Sequence, residues 1–101
     1  MANPRIGFLG MGAMGGPMAR RLVQRGFRVA GYDVSEARAA AAAKEGVTIA
    51  KSPAAAAGAA DVIMSSLPNP TTVRDAYLGP DGAVAALRAG TILVDMSTID
   101  P

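Results

Sequence analysis

A doubly wound α/β fold built on a parallel sheet is what this sequence predicts, and three observations predict it. Short apolar runs alternate with helix-like stretches along the whole chain. The runs are apolar on both faces, as strands covered by helices on both sides require. A capping serine, proline or glycine punctuates nearly every change of element, and the pattern of a helix, a charged residue, a glycine and then a strand recurs at Gly26, Gly46 and Gly90. Strands alternating with helices pair in parallel through right-handed crossovers, so five strands in the order 3-2-1-4-5 are expected.

The elements follow in turn. Arg5 to Leu9 is the first strand and runs straight into glycines, and Ala13 to Arg25 is a helix with Met14, Met18, Leu22 and Val23 on one face. Gly26 stands where a helix ends on a positive φ. Phe27 to Tyr32 is the second strand, and Ser35 caps an alanine-rich helix from Glu36 to Glu45. Val47 to Ala50 is a short third strand, and Ser52-Pro53 opens a helix with a capping hydroxyl and a proline at its first position. Asp61 to Leu67 is the fourth strand, ended by Pro68. Asn69-Pro70 opens a helix to about Tyr77, Ala83 to Arg88 is a short helix, and Thr91 to Asp95 is the fifth strand.

Composition narrows the chemistry. The 101 residues are 50% hydrophobic and 18% charged with a formal net charge of +2, which suits one globular domain with one core. There is no Cys and no His, which excludes thiolate nucleophiles, disulfides, Cys or His metal sites and any imidazole-dependent triad. No metal site is expected. Acid–base work would fall to Asp, Glu, Lys or Tyr. Arg20, Arg21, Arg25 and Arg28 cluster in sequence, but no aromatic residues interleave them, so a solvated helix side is expected rather than a nucleic-acid surface. No apolar run reaches the ~18 residues of a membrane span, and five glycines and a proline between Ile6 and Ala19 spoil a signal-peptide helix.

Gly10-Met11-Gly12-Ala13-Met14-Gly15 fits G-x-G-x-x-G. Alone the pattern is weak, but here it follows a strand, opens a helix and has an acid in register. Gly10 permits the tight turn, Gly12 lets a pyrophosphate approach the backbone, and Gly15 lets the helix pack on its strand. The free N–H groups of the first helical turn then face phosphates. Asp33, 23 residues after Gly10 at the end of the second strand, is placed to accept from ribose hydroxyls and to repel a 2′-phosphate. A cap for the next helix is its bland alternative, and the two roles are compatible. The fold is thus Rossmann-type, and NAD is favoured over NADP, with Arg38 the residue that could reach a 2′-phosphate.

The run from Gly10 to Ala19, then Leu67-Pro68, then Asp95-Met96-Ser97-Thr98-Ile99-Asp100-Pro101, resembles the β-hydroxyacid dehydrogenase family over essentially the whole chain. Met11 stands where leucine is common there, and Arg21 where asparagine is usual. The resemblance implies cofactor contacts from Gly10, Met11, Gly12, Ala13, Met14, Gly15, Asp33, Leu67, Pro68, Thr72 and Thr98, with Ser97 holding the substrate carboxylate. The plainer alternatives are a core Leu67, a strand-ending Pro68 and a helix cap at Ser97 and Thr98.

The implied reaction passes a hydride between NAD and a small 3-hydroxyacid such as 3-hydroxyisobutyrate. The resemblance places the catalytic lysine downstream, so no catalytic residue is assigned in this chain. Lys44 and Lys51 read as solvated ends of elements. Residues 1–101 are accordingly expected to be an incomplete dinucleotide-binding domain, inactive by itself, with a helical substrate and oligomerisation domain beyond Pro101. A cytoplasmic enzyme is expected, with a small hydroxyacid as partner, no nucleic-acid or membrane partner, and self-association through the further domain. Two rivals stand beside it: an NADP-dependent relative of the 6-phosphogluconate, tartronate semialdehyde or imine reductase type, and a non-enzymatic dinucleotide-binding module.

Overall fold

The computed structural model describes residues 4–12, 15–58, 60–67, 70–87 and 89–95. Among them lie β1 (Arg5–Leu9), α1 (Gly15–Gln24), β2 (Arg28–Tyr32), α2 (Glu36–Lys44), β3 (Thr48–Ile49), α3 (Pro53–Ala57), β4 (Val62–Ser65), α4 (Pro70–Leu78), a 3₁₀ turn (Ala83–Ala86) and β5 (Ile92–Asp95). The strands form one parallel sheet in the order β3-β2-β1-β4-β5, as expected.

Alternation along β1 divides the core into two layers. Ile6 and Phe8 face a cluster with Met11, Ala19, Val29, Ala42 and Val47, against which Met18, Leu22 and Val23 of α1 pack. Leu9 faces the opposite layer, with Ala56, Ala57, Ile63, Ala76 and Ala83. Alanine dominates that second layer because α3 presses directly on the sheet. A Cβ at Gly7 would come within 2.8 Å of the Ala56 carbonyl oxygen.

Local signals explain the helix boundaries. Ser35 Oγ accepts from Arg38 N at 3.3 Å, and Ser52 Oγ from Ala55 N at 3.1 Å, so each serine satisfies an N–H of a first turn. Gly26, Gly46 and Gly90 each take a positive φ, as their positions after helical stretches imply.

Two expectations are corrected. The stretch from Ala83 makes only a 3₁₀ turn, ending at Ala86. β3 shrinks to two exposed residues, because at a sheet edge it has one partner strand to register against. β5 is the open apolar edge that the strand order implies: Ile92, Leu93 and Val94 are 58%, 48% and 38% exposed, and no described element packs beyond this edge. Among the described residues no helix is long and apolar enough to cross a membrane.

Candidate cofactor site

The chain leaves the carboxyl end of β1 at Gly10, whose φ of 88° is open to glycine and strained for other residues. Its N–H donates to the Tyr32 carbonyl at 2.8 Å, which lashes the turn to the end of β2. A Cβ on Gly10 would overlap the Ser66 carbonyl and crowd Leu67 at 2.7 Å. One on Gly15 would overlap the Gly10 carbonyl and meet the Phe8 ring at 3.1 Å. Both glycines therefore allow close packing at the mouth of the sheet. Gly12 differs: the nearest atoms a Cβ there would meet belong to the Arg38 guanidinium, with Nη1 at 3.3 Å. These atoms end a flexible side chain that can give way, whereas a phosphate approaching the backbone needs the bare glycine.

Asp33 closes the turn from the other side. Its Oδ2 accepts from Met11 N at 2.7 Å and its Oδ1 from Ser35 N at 2.8 Å. One carboxylate thus holds the glycine turn and the start of α2 together. Each oxygen keeps lone-pair capacity for a further donor such as a ribose hydroxyl. The Ser35 N–H bond is the local turn role anticipated for this acid, and the reach across to Met11 is a contact that sequence spacing did not reveal.

These groups surround a cleft of about 840 Å³ at the carboxyl ends of the strands. It is lined by Gly10, Gly12, Gly15, Asp33, Leu67 and Thr72, bringing together six residues singled out in the sequence. Met11 does not line it. Its side chain is 4% exposed and packs over Gly31, where a Cβ would come within 2.5 Å of its sulfur. Ala13, Met14, Pro68, Ser97 and Thr98 lie outside the described residues.

The far wall of the cleft, from Pro53, Asp75, Ala76 and the turn at Gly79 to Asp81, was not anticipated. The Ala54 N–H donates to the Asp81 carbonyl at 2.8 Å and holds that turn against α3. No sequence motif marks it, because the crossovers rather than local spacing create this proximity. Val34, also unanticipated, lines the cleft beside Asp33 and is 78% exposed. A large exposed apolar side chain at a binding cleft is a signal readable only with burial known.

The strand order reverses between β1 and β4, with β2 and β3 to one side and β4 and β5 to the other. Open parallel sheets bind ligands in the crevice at such a switch point, and the glycine turn with its carboxylate at the end of β2 makes this a dinucleotide-binding domain. The family described as the NAD binding domain of 6-phosphogluconate dehydrogenase matches residues 5–101, and the chain belongs to it, as the NAD-binding domain of the β-hydroxyacid dehydrogenases.

Among similar proteins, 2-(hydroxymethyl)glutarate dehydrogenase of Eubacterium barkeri is 42% identical over 97 residues, covering 96% of this chain and 32% of that protein. The structure of Mycobacterium tuberculosis 3-hydroxyisobutyrate dehydrogenase with L-serine superposes with a TM-score of 0.89 at 40% identity, covering 99% of this chain and 33% of that one. Psf3 in complex with NADP+ and 2-OPP matches with a TM-score of 0.84 at 35% identity, covering 93% and 34%. The chain spans about a third of the length of the relatives it matches.

Proposed function

We propose that residues 1–101 are the cofactor domain of a longer, NAD-dependent dehydrogenase acting on a small 3-hydroxyacid of the 3-hydroxyisobutyrate type. The observation that carries this is Gly12, crowded only by the end of a flexible side chain among its nearest neighbours, set beside Asp33 in one cleft. The relatedness to the mycobacterial 3-hydroxyisobutyrate dehydrogenase supports the substrate class.

The cofactor contributes hydride transfer at its nicotinamide ring. This chain's residues bind and orient it. Gly12 and the first-turn N–H groups of α1 receive the pyrophosphate. Asp33 accepts from the ribose hydroxyls, and Val34 flanks the base with an apolar surface. Leu67 and Thr72 lie along the β4 side of the cleft. Ala13, Met14, Pro68 and Thr98 complete the cofactor contacts and Ser97 holds the substrate carboxylate, as the motifs they belong to suggest. A lysine beyond this chain would serve as acid and base. The enzyme so read is cytoplasmic, which the absence of cysteine suits. It works without a nucleic-acid or membrane partner and self-associates through a further helical domain.

Calorimetric titration tests the reading. NAD should bind more tightly than NADP, by on the order of 1–3 kcal/mol, since a charge-assisted hydrogen bond is exchanged for repulsion between like charges. Asp33→Ala should weaken both, because it also frees the Met11 N–H, but should weaken NAD more and so close the gap. Tighter binding of NADP by the unaltered chain would overturn the preference, and binding of neither would overturn the function.

A further inference from the structure

We propose that Met11 and Gly31 are a pair of positioning residues for the cofactor. The Met11 side chain, seated in a slot that Gly31 leaves in β2, holds the Asp33 carboxylate in the orientation that favours NAD over NADP. The inference rests on the cofactor reading above and deepens it, because neither Met11 nor Gly31 lines the cleft.

The glycine turn is fastened to the end of β2 and the residue after it at three successive points. Gly10 N–H donates to the Tyr32 carbonyl at 2.8 Å, and Met11 N–H donates to Asp33 Oδ2 at 2.7 Å. The third point is the Met11 side chain, whose Sδ and Cε lie 2.5 and 3.1 Å from where a Gly31 Cβ would stand. The first two are made by main-chain N–H groups, whatever side chain follows. The third needs a long, unbranched side chain on the turn and a glycine on the strand. Val47 walls the other side of the slot, with Cγ1 2.9 Å from the same Cβ position, and is buried and stiff at χ1. Gly31 is itself fixed in the sheet, paired with Phe8 and Ile49, its carbonyl accepting from Ala50 N at 2.8 Å.

A methyl added at Gly31 would therefore displace the thioether rather than the strand. Met11 is buried, so its side chain has no open space to swing into, and displacing it moves the turn that carries it. The bond to Asp33 is the first to suffer. An extension of about 0.5 Å takes it to ~3.2 Å, the limit for such bonds. Asp33 would then keep the Ser35 N–H on Oδ1 and turn about it. A carboxylate bound at both oxygens presents its remaining lone pairs in fixed directions, and one bound at a single oxygen does not. NAD loses a fixed acceptor for its ribose hydroxyls. NADP loses less, since a carboxylate free to turn away repels the 2′-phosphate less. The mark of the slot is thus a narrower gap between the two dinucleotides, not a loss that both share.

The slot can be filled from one side or emptied from the other, and the two changes should cancel. Gly31→Ala adds the methyl that meets the thioether, and Met11→Val takes Sδ and Cε away. Calorimetric titration of the unaltered chain, both single variants and the double variant with NAD and NADP reads the coupling. Each single change should weaken NAD about tenfold and NADP about threefold or less. The double variant should return NAD to within about threefold of the unaltered chain, because the added methyl fills the space that the thioether vacates. Circular dichroism melts set a temperature at which the titrated variants are folded. If Gly31→Ala does not fold, Met11→Val carries the test, with faster exchange of the residue-11 amide proton as its second readout. Equal weakening of NAD and NADP in the single variants would overturn the proposal and leave the slot as packing alone. Losses that add in the double variant, or binding unchanged throughout, would overturn it too. In each case the cofactor reading survives, whereas an unaltered chain that binds neither dinucleotide removes that reading and this inference together.

Discussion

Each glycine of the turn answers a different demand, and substitution should separate them. Gly12→Val meets first the far end of a flexible arginine, so the fold should keep its stability to within about 1 kcal/mol while NAD binding is lost. Gly10→Ala combines a positive φ with overlap on the Ser66 carbonyl, and should cost several kcal/mol and abolish a cooperative melt. Thermal melts beside NAD titrations check both. If Gly12→Val unfolds, that glycine is structural and the phosphate argument loses its main support. The G-x-G-x-x-G spacing made all three glycines legible, since spacing encodes backbone demands. It did not make Met11 legible, because the pattern is silent about where its x positions point. The slot that takes Met11 is cut by Gly31 on the neighbouring strand, and a lone glycine inside a strand was the available signal of close approach.

Between elements, one buried side-chain link joins β4, β5 and α4. Ser65 of β4 is fully buried, donates to Asp95 Oδ1 of β5 at 2.9 Å and lies 2.7 Å from the Tyr77 hydroxyl of α4. The one hydroxyl hydrogen of serine goes to Asp95, so Tyr77 donates to Ser65. Burial, chiefly, holds the Tyr77 phenol above its ordinary value. The Ser65 hydroxyl, able to turn toward a phenolate, works against this, and the Asp95 charge adds to it. A raised value in the folded chain means that the unfolded chain releases this proton first. The associated stability is therefore complete below pH 10, the ordinary phenol value, and is lost as pH rises through the folded value. Tyr77→Phe should cost about 1 kcal/mol near neutrality and flatten the alkaline fall. Urea unfolding at stepped pH measures both effects, and an alkaline limb as steep in the variant would exclude Tyr77 as its source. The Asn69-Pro70 start and the apolar runs located α4 and both strands but not this link, because Ser65, Tyr77 and Asp95 belong to three elements with no shared motif.

For the whole molecule, the parallel order, and with it the edges at β3 and β5, was legible because alternating strands and helices leave few topologies, while how much of each edge stays open was not. An edge is defined by what fails to pack on it, and the same apolar residues serve a covered strand or an open one, as Ile92 to Val94 demonstrate. The strand order also bears on chemistry. With the adenosine end placed at Asp33 just after β2, as proposed, a dinucleotide crossing the switch point would put its nicotinamide toward β4 and β5. A catalytic base must come within hydrogen-bond reach of the substrate hydroxyl there. Lys51 is exposed just after β3, three strand positions from β4 and four from β5, which at the usual spacing is roughly 14 and 19 Å. Lys44 is exposed at the last turn of α2, which returns to the opposite edge of the sheet. The Tyr77 phenol is held protonated by burial, and Asp95 accepts the Ser65 hydrogen bond. This chain should therefore bind NAD without turning over a hydroxyacid. Nicotinamide absorbance, followed with NAD and a panel of small 3-hydroxyacids, should stay flat, with calorimetry establishing in the same preparation that the cofactor is bound. Sustained turnover that vanished in a Lys51→Ala or Lys44→Ala variant would show that the base lies within these residues and that the nicotinamide runs toward β3.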